Sequence, residues 1–146
     1  MSERTHADIV INAPVTDILD VIGDIAAYPT WATGTTEAEV TEEGTAPLRP
    51  RRARFVIDAM LRDEFELEYT WTDTAVSWTL VRSHLQKAQD GRYQLQPCEE
   101  GTRVTYELTA DTAVPMLGML RRKAERRIID TALSSLKQRV HNLGKA

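Results

Sequence analysis

Cysteine is almost missing from this chain, because Cys98 is the single cysteine in 146 residues. One thiol can form neither an intrachain disulfide nor a cysteine-based zinc site. The histidines do not replace it, because His6, His84 and His141 are scattered and no pair has the i, i+4 spacing of a helical ligand pair. We therefore expect no metal site and no cofactor, and cysteine usage favours a reducing, cytoplasmic setting.

Long hydrophobic runs and an excess of positive charge are also lacking. No segment approaches the roughly 18 apolar residues of a membrane span, and residues 1–4 do not open an apolar signal core. The formal charge of -4 and the pI near 5.4 argue against a nucleic-acid surface, which needs a net basic face. The sequence thus predicts a soluble cytoplasmic protein without a nucleic-acid partner. Its oligomeric state is open.

Several enzyme signatures are missing as well. The chain has no G-x-S-x-G elbow, no phosphate-binding glycine loop and no dinucleotide fingerprint. Its length, with 42% apolar and 27% charged residues, suits one globular domain over residues 1–146. Function must therefore be sought in the pattern of apolar and aromatic residues.

The opening segment alternates a strand with short helices. An apolar strand ends near Asn12, and Pro14 stands where a first helical turn tolerates a missing amide donor. Helical spacing then continues to Gly23, which can end the helix. A second short helix should follow and break at Tyr28-Pro29, because the residue before proline is disfavoured in the α region.

From Gly34 onward the period changes to two, which predicts strands with one inward and one outward face. The inward rows are Thr36, Ala38, Val40; Ala53, Phe55, Ile57, Ala59, Leu61; Phe65, Leu67, Tyr69, Trp71; Val76, Trp78, Leu80; Tyr93, Leu95; and Val104, Tyr106, Leu108. Arg82 continues the parity of Leu80, so it either points inward or lies beyond the sheet edge, which we favour. Asp90-Gly91 fits a hairpin or a bulge inside one long strand, and we favour the bulge.

A long C-terminal helix is predicted from Pro115 to about Leu143, with Gly144 at its end. Its second half carries one apolar face, formed by Ile129, Ala132, Leu133, Leu136, Val140 and Leu143. Toward the N-terminus the same face becomes polar at Gly118, Arg121, Arg122 and Glu125. Five basic residues crowd Arg121 to Arg127, although the helix dipole disfavours positive charge near a helix start.

The segment from Ile9 to Trp31, together with this order of elements, resembles the START-like or polyketide cyclase/dehydrase and lipid-transport (SRPBCC) superfamily. The resemblance implies an α+β helix-grip fold, in which a curved seven-stranded antiparallel sheet wraps round the C-terminal helix and two short helices lie between strands 1 and 2. It also implies an apolar cavity that binds or carries a small hydrophobic molecule, such as a lipid, isoprenoid or polyketide-like compound.

Two other functions remain open under this resemblance. One is an aromatase/cyclase-type enzyme that acts on a polyketide-like substrate, for which the candidate donors are Tyr69, Arg82, Tyr93 and Arg122. The other is a partner-binding module without a small ligand. A carrier predicts a closed cavity, an enzyme predicts several convergent donors, and a partner module predicts a filled interior with an exposed apolar patch.

The candidate ligand-binding residues form two groups. Aromatic residues are predicted to line the cavity: Trp31, Phe55, Phe65, Tyr69, Trp71, Trp78 and Tyr93. Arg121, Arg122 and Glu125 are predicted to form its rim. The competing interpretations are plain core packing for the aromatic group, and solvation or pairing with outward glutamates for the basic run Arg121 to Arg127. A peripheral membrane or protein contact through that run is a third interpretation.

Overall fold

The computed structural model describes residues 4–58, 62–112 and 118–144. Its elements, in chain order, are β1 (Thr5–Ile11), α1 (Val15–Gly23), a 3-10 turn (Ile25–Ala27), α2 (Tyr28–Trp31), β2 (Thr35–Glu42), β3 (Arg52–Asp58), β4 (Arg62–Trp71), β5 (Ala75–Ser83), β6 (Gln86–Cys98), β7 (Gly101–Thr112) and α3 (Gly118–Gly144). One strand, short helices, six strands and a long helix follow in the predicted order.

All seven strands form one sheet in the order β1-β7-β6-β5-β4-β3-β2, and every neighbouring pair is antiparallel. α3 packs mainly against β1, β7 and α1. Its apolar side chains share one core with the inward rows of the sheet. This is the helix-grip architecture, and the predicted α+β fold class is confirmed.

The connection between β1 and β2 follows the sequence signals with one exception. Pro14 caps α1, which buries Ile18, Leu19 and Ile22. The predicted helix break at Tyr28-Pro29 is wrong, because both residues are helical. Pro29 instead lies in the first turn of α2, where its missing amide donor costs no helical hydrogen bond.

Asp90-Gly91 lies inside the continuous strand β6, so the prediction of one long strand is correct and the hairpin is excluded. The predicted bulge at this site is wrong, because both residues keep regular pairing with β5 and β7. The register shift of β6 against β7 falls between Gln86 and Ala88. Gly91 is explained by packing instead, because the ring of Trp78 lies against its backbone.

A bulge does change the parity of β5. Leu80 pairs with Leu67, whereas Arg82 pairs with Glu66, so Val81 is an extra residue between two regular pairs. The shift turns Arg82 outward, where its guanidinium lies 3.2 Å from the Glu66 carboxylate. Arg82 is thus an outer-face residue inside the β4–β5 pair, so the favoured position beyond the sheet edge and the alternative position in the core are both wrong.

α3 carries its predicted apolar face at Ile129, Leu133, Leu136 and Val140, all of which are buried. Leu143 is a correction, since 49% of its surface is exposed where the helix runs past the core. The predicted helix start at Pro115 lies outside the described residues, as do Ala59 and Leu61.

Candidate functional site

The predicted lining aromatics all belong to the core or pack directly against it, six of them on the inner face of the sheet and Trp31 on α2. Their rings form two groups, which together we call the aromatic series. The first joins Tyr28–Trp31 (4.9 Å between centroids), Tyr28–Phe55 (5.4 Å) and Phe55–Phe65 (5.6 Å). The second joins Tyr69–Trp71 (5.8 Å), Tyr69–Trp78 (6.0 Å), Trp78–Tyr93 (5.5 Å) and Tyr93–Tyr106 (4.5 Å). These spacings fall in the range of attractive offset or tilted ring pairs. Two members, Tyr28 and Tyr106, were not among the predicted site residues.

Four tyrosines belong to this series, and one of their hydroxyls has a partner among the described residues. The Tyr28 hydroxyl donates to the Ile22 carbonyl at 2.5 Å. The hydroxyls of Tyr69, Tyr93 and Tyr106 have no hydrogen-bond partner among the described residues. Burial raises the pKa of each of the four phenols, and in Tyr28, Tyr69 and Tyr93 repulsion between neighbouring phenolates raises it further. All four are therefore neutral O–H donors near pH 7.

The three tryptophans differ in how their N–H groups are used. Trp71 donates to the Pro50 carbonyl at 2.7 Å and stacks under the Arg49 guanidinium, 5.2 Å from the ring centroid. Trp78 donates to the Gln89 side chain at 2.9 Å. The Trp31 N–H is buried and has no partner in the part of the chain that the structure describes. Trp31 is thus the tryptophan whose donor is available for a ligand.

Trp78 is held in place by a chain of side-chain hydrogen bonds that ends on a buried carboxylate. Gln89 donates to Gln86 at 2.7 Å, and Gln86 donates to Asp63 at 3.0 Å. Asp63 is 3% exposed and also accepts from the Ser83 hydroxyl at 2.7 Å. The backbone amides of His84 and Leu85 donate to the same carboxylate at 3.1 and 3.2 Å.

The sequence interpretation missed Asp63, although a signal was present. Asp63 continues the inward parity of Phe65, Leu67 and Tyr69, so an acidic residue there has to be buried with partners. Tyr106 carried a similar signal, because it shares its parity with Val104 and Leu108. Tyr28 gave none, since its position depends on the turn geometry around Pro29.

The three predicted rim residues on α3 do not form one group. Glu125 is 2% exposed and accepts from the Thr5 hydroxyl at 2.6 Å and from the Ala110 amide at 2.7 Å. Arg121 is half-buried, with its Nε 3.9 Å from the Glu125 carboxylate. Arg122 is exposed. Glu125 therefore ties α3 to β1 and β7, and Arg122 lies apart from it.

A separate cleft of about 670 Å³ lies outside the sheet, between α1 and the C-terminal end of α3. Asp17, Asp20 and Asp24 line one side, and Arg139 and His141 line the other. Asp20 is already paired with the Arg49 guanidinium at 3.0 Å. Trp31 lines this cleft and also packs against the Tyr28 ring of the aromatic series.

A sequence comparison places the chain in a family. The profile of polyketide cyclase / dehydrase and lipid transport proteins matches residues 2–141. The chain belongs to this family. None of the curated proteins matches its sequence.

Three solved structures illustrate the shared helix-grip fold of this family member. A START superfamily protein from Mycobacterium smegmatis superposes with a TM-score of 0.88 at 16% identity, covering 97% of this chain and 99% of that one. A STAR-related lipid transfer protein from Xanthomonas axonopodis gives 0.74 at 15% identity, covering 93% and 84%. An aromatase/cyclase from a Streptomyces species gives 0.66 at 11% identity, covering 95% and 93%. At such identities the likeness establishes the fold alone.

The described residues also bear on metals and membranes. They contain no group of three or more His, Cys, Asp and Glu side chains that could hold a metal ion. Within the same ranges, no helix is long and apolar enough to cross a membrane.

Proposed function

We propose that this protein binds a small, largely apolar molecule between the inner aromatic face of the sheet and α3. Membership of the family supports hydrophobic ligand binding or polyketide-type chemistry in general terms. A lipid transfer protein and an aromatase/cyclase are both among the proteins that share the fold. The chain's own residues decide which of these functions is better supported.

The observation that carries the proposal is the set of unpartnered hydroxyls on Tyr69, Tyr93 and Tyr106. The described atoms that are fully buried without a partner do not include these three oxygens, so each keeps accessible surface that another molecule can reach. A bound molecule with acceptor oxygens would gain up to one hydrogen bond from each. Plain core packing would instead favour phenylalanine at all three positions, because a hydroxyl in a core needs a partner.

The state of these hydroxyls indicates the chemical class of the ligand. Their raised pKa values keep them protonated at neutral pH, so they donate to an acceptor and do not repel one. The surrounding rings offer flat apolar contacts. We therefore expect an uncharged ligand with a carbonyl or hydroxyl oxygen and an extended apolar body, as in an isoprenoid, a lipid or a polyketide-like compound.

A polyketide cyclase-type enzyme is the second candidate. It is supported by two candidate donors, Tyr69 and Tyr93, whose rings both contact the ring of Trp78. The other two predicted donors do not join them, because Arg82 and Arg122 are exposed. An aldol cyclisation also needs a base, and a phenol with a raised pKa is a poor base at neutral pH. Binding without turnover is therefore the better-supported function.

The first test is native mass spectrometry of the protein purified from its own host, in search of a co-purifying small molecule. Its counterpart in vitro is saturable fluorescence of Nile red, an uncharged aromatic dye that carries a carbonyl. Tyr69→Phe, Tyr93→Phe and Tyr106→Phe each remove one unpartnered hydroxyl. Each loss should weaken dye binding by up to roughly tenfold without lowering stability.

Tyr28→Phe is the matched control, because its hydroxyl already donates to the Ile22 carbonyl. It should lower the free energy of unfolding by about 1 kcal/mol and leave the dye affinity unchanged. The absence of any co-purified molecule together with non-saturable dye fluorescence would overturn the binding proposal. Unchanged affinity in the triple Tyr→Phe variant would overturn the assigned role of the hydroxyls.

A further inference from the structure

The outer side of the first half of α3 exposes apolar side chains that the core does not use. Met119 is 82% exposed, Leu120 53% and Ile128 49%, and Ala124 is exposed between them. Leu120, Ala124 and Ile128 follow one another at intervals of four residues, so they form a stripe on one side of the helix. Residues 119–128 thus expose three large apolar side chains. Single exposed apolar residues are common on protein surfaces, but a contiguous group of them indicates an interaction site.

Cationic side chains border this stripe along one side, with Arg127 and Lys123 next to Leu120 and with Arg126 and Arg122 further round the helix. Arg122, Lys123, Arg126 and Arg127 are all exposed. Arg126 pairs with Asp130 at 3.3 Å, while the other three form no ion pair among the described residues. The single acidic residue of segment 119–128, Glu125, is buried against β1 and β7. We call this outward surface, formed by Met119, Leu120, Arg122, Lys123, Ala124, Arg126, Arg127 and Ile128, the basic-apolar face.

The glutamates of the sheet do not neutralise this face, although that was one interpretation of the basic run. They pair with arginines of the sheet itself: Arg52 with Glu68, Arg54 with Glu37, Glu39 and Glu64, and Arg82 with Glu66. The helix dipole adds to the imbalance, since it disfavours cations in the first turns of α3. Residues that lower the stability of the fold without a compensating contact are typical of functional surfaces.

We propose that the basic-apolar face docks on an anionic membrane surface. Exposed apolar side chains beside a row of cations are the arrangement of a helix that lies at a lipid interface: the apolar residues enter the boundary region and the cations meet lipid phosphates. Charge complementarity selects anionic lipids. The chain as a whole carries a net charge of -4, so attraction to an anionic surface has to act through this face and orients the protein.

The proposal does not depend on a ligand in the core, because its residues lie outside the aromatic series. An acidic protein surface is the other partner that the cations would suit. The stripe of Leu120, Ala124 and Ile128 distinguishes the two, since a purely electrostatic contact would not need it.

The test measures binding to sedimented vesicles of phosphatidylcholine alone and of phosphatidylcholine mixed with phosphatidylglycerol, at low and high salt. The wild-type protein should bind only the anionic vesicles, and salt should weaken binding. Arg122→Gln, Lys123→Gln and Arg127→Gln combined should weaken it on the order of 100-fold. Leu120→Ser combined with Ile128→Ser should weaken it by roughly tenfold.

Matched controls separate this face from general charge and general apolarity. Lys87→Gln, Arg92→Gln and Lys137→Gln together remove the same charge elsewhere, and Leu143→Ser removes an apolar side chain as exposed as Ile128 at the other end of α3. Both control variants should lose less than threefold, as expected for surface changes. Thermal unfolding and Nile red binding report separately on the fold and on the core.

Three outcomes would overturn the proposal. The first is no binding of the wild-type protein to anionic vesicles at low salt, and the second is an equal loss in the control variants. The third is binding that responds to charge but not to the Leu120 and Ile128 changes and that soluble polyglutamate abolishes. That third result would assign the face to an acidic protein partner.

Discussion

The indole ring of Trp78 lies directly on the backbone of Gly91, its partner across the β5-β6 pair. A Cβ atom at Gly91 would meet the Trp78 Cε2 and Cζ2 atoms at 2.2 Å, closer than real contacts allow. The ring is fixed on its other side by the hydrogen bond to Gln89. Gly91 is therefore required by the position of an aromatic side chain and not by a turn.

Gly91→Ala tests this relationship. The new methyl group has to displace Trp78, so we expect a loss of about 1–3 kcal/mol in the free energy of unfolding, measured with urea. The tryptophan fluorescence of the protein should shift as the Trp78 ring leaves its position. Gly144→Ala is the control, because a Cβ there would meet nothing within 4 Å. Equal stability of the two variants would contradict the packing argument.

Asp63 is expected to determine the conformation of the turn between β5 and β6. Asp63→Ala removes the acceptor of the Ser83 hydroxyl and one of the two acceptors of each backbone amide, since the His84 amide also donates to the Glu64 carbonyl and the Leu85 amide to Ser83 Oγ. The free energy of unfolding should therefore fall by about 1–3 kcal/mol. Asp63→Asn keeps one acceptor oxygen and should lose about half as much. Urea denaturation measures both.

The control for this turn is Asp8→Ala, since Asp8 makes an exposed pair with Arg103 and should change stability by less than about 1 kcal/mol. Hydrogen exchange of the His84 and Leu85 amides gives a local measure. Protection that survives Asp63→Ala would show that the carboxylate does not hold the turn.

The tyrosines determine the expected pH dependence at high pH, because all four tyrosines of the chain lie in or against one core and all have a raised pKa. Below the ordinary value of 10.0, folded and unfolded chains both keep the phenol protons. Above it the unfolded chain releases them while the folded chain does not. Each phenol should then lower the free energy of unfolding by about 1.4 kcal/mol per pH unit.

Ultraviolet absorbance of phenolate checks this expectation. The folded protein should show no phenolate at pH values where free tyrosine is half ionised, and all four tyrosines should ionise together when alkali unfolds the chain. A phenolate signal near the ordinary pKa, with the circular dichroism of the fold intact, would show that at least one hydroxyl is in contact with bulk solvent.

The sequence predicted the fold well because its signals are local. Period-two rows such as Phe65, Leu67 and Tyr69 identify strands, and the apolar face of Ile129, Leu133 and Leu136 identifies the long helix. Errors occurred where pairing geometry intervened. The bulge at Val81 turned Arg82 outward, and no residue on either side indicates that β5 has an extra residue in its pairing with β4.

The candidate site could be predicted only in part, for a related reason. Parity placed the aromatic residues on the inner face, and the structure brings them together as ring neighbours. Whether a hydroxyl has a partner depends on how the chain folds around it. The Tyr28 hydroxyl donates to the Ile22 carbonyl and the Tyr93 hydroxyl has no partner among the described residues, and the alternation of inward and outward residues does not predict this difference. The opposite positions of Glu125 and Arg122 likewise depend on how β1 and β7 approach α3.

Glu125 should contribute to stability through two elements at once. Its carboxylate accepts from the Thr5 hydroxyl of β1 and from the Ala110 amide of β7, in a site that is 2% exposed. Glu125→Ala leaves both donors buried or half-buried without an acceptor, so we expect a loss of about 2–4 kcal/mol in the free energy of unfolding. Thr5→Val removes one partner and should lose about 1 kcal/mol.

A double-mutant cycle between Thr5→Val and Glu125→Ala isolates their hydrogen bond, with an expected coupling of about 0.5–3 kcal/mol. Glu100→Ala, in the exposed turn between β6 and β7, is the control and should change stability by no more than about 0.5 kcal/mol. Because Glu125 holds the first half of α3 against the sheet while its neighbours face outward, its loss should also weaken vesicle binding by the basic-apolar face. A cycle with zero coupling would mean that the contact with Thr5 does not form in solution.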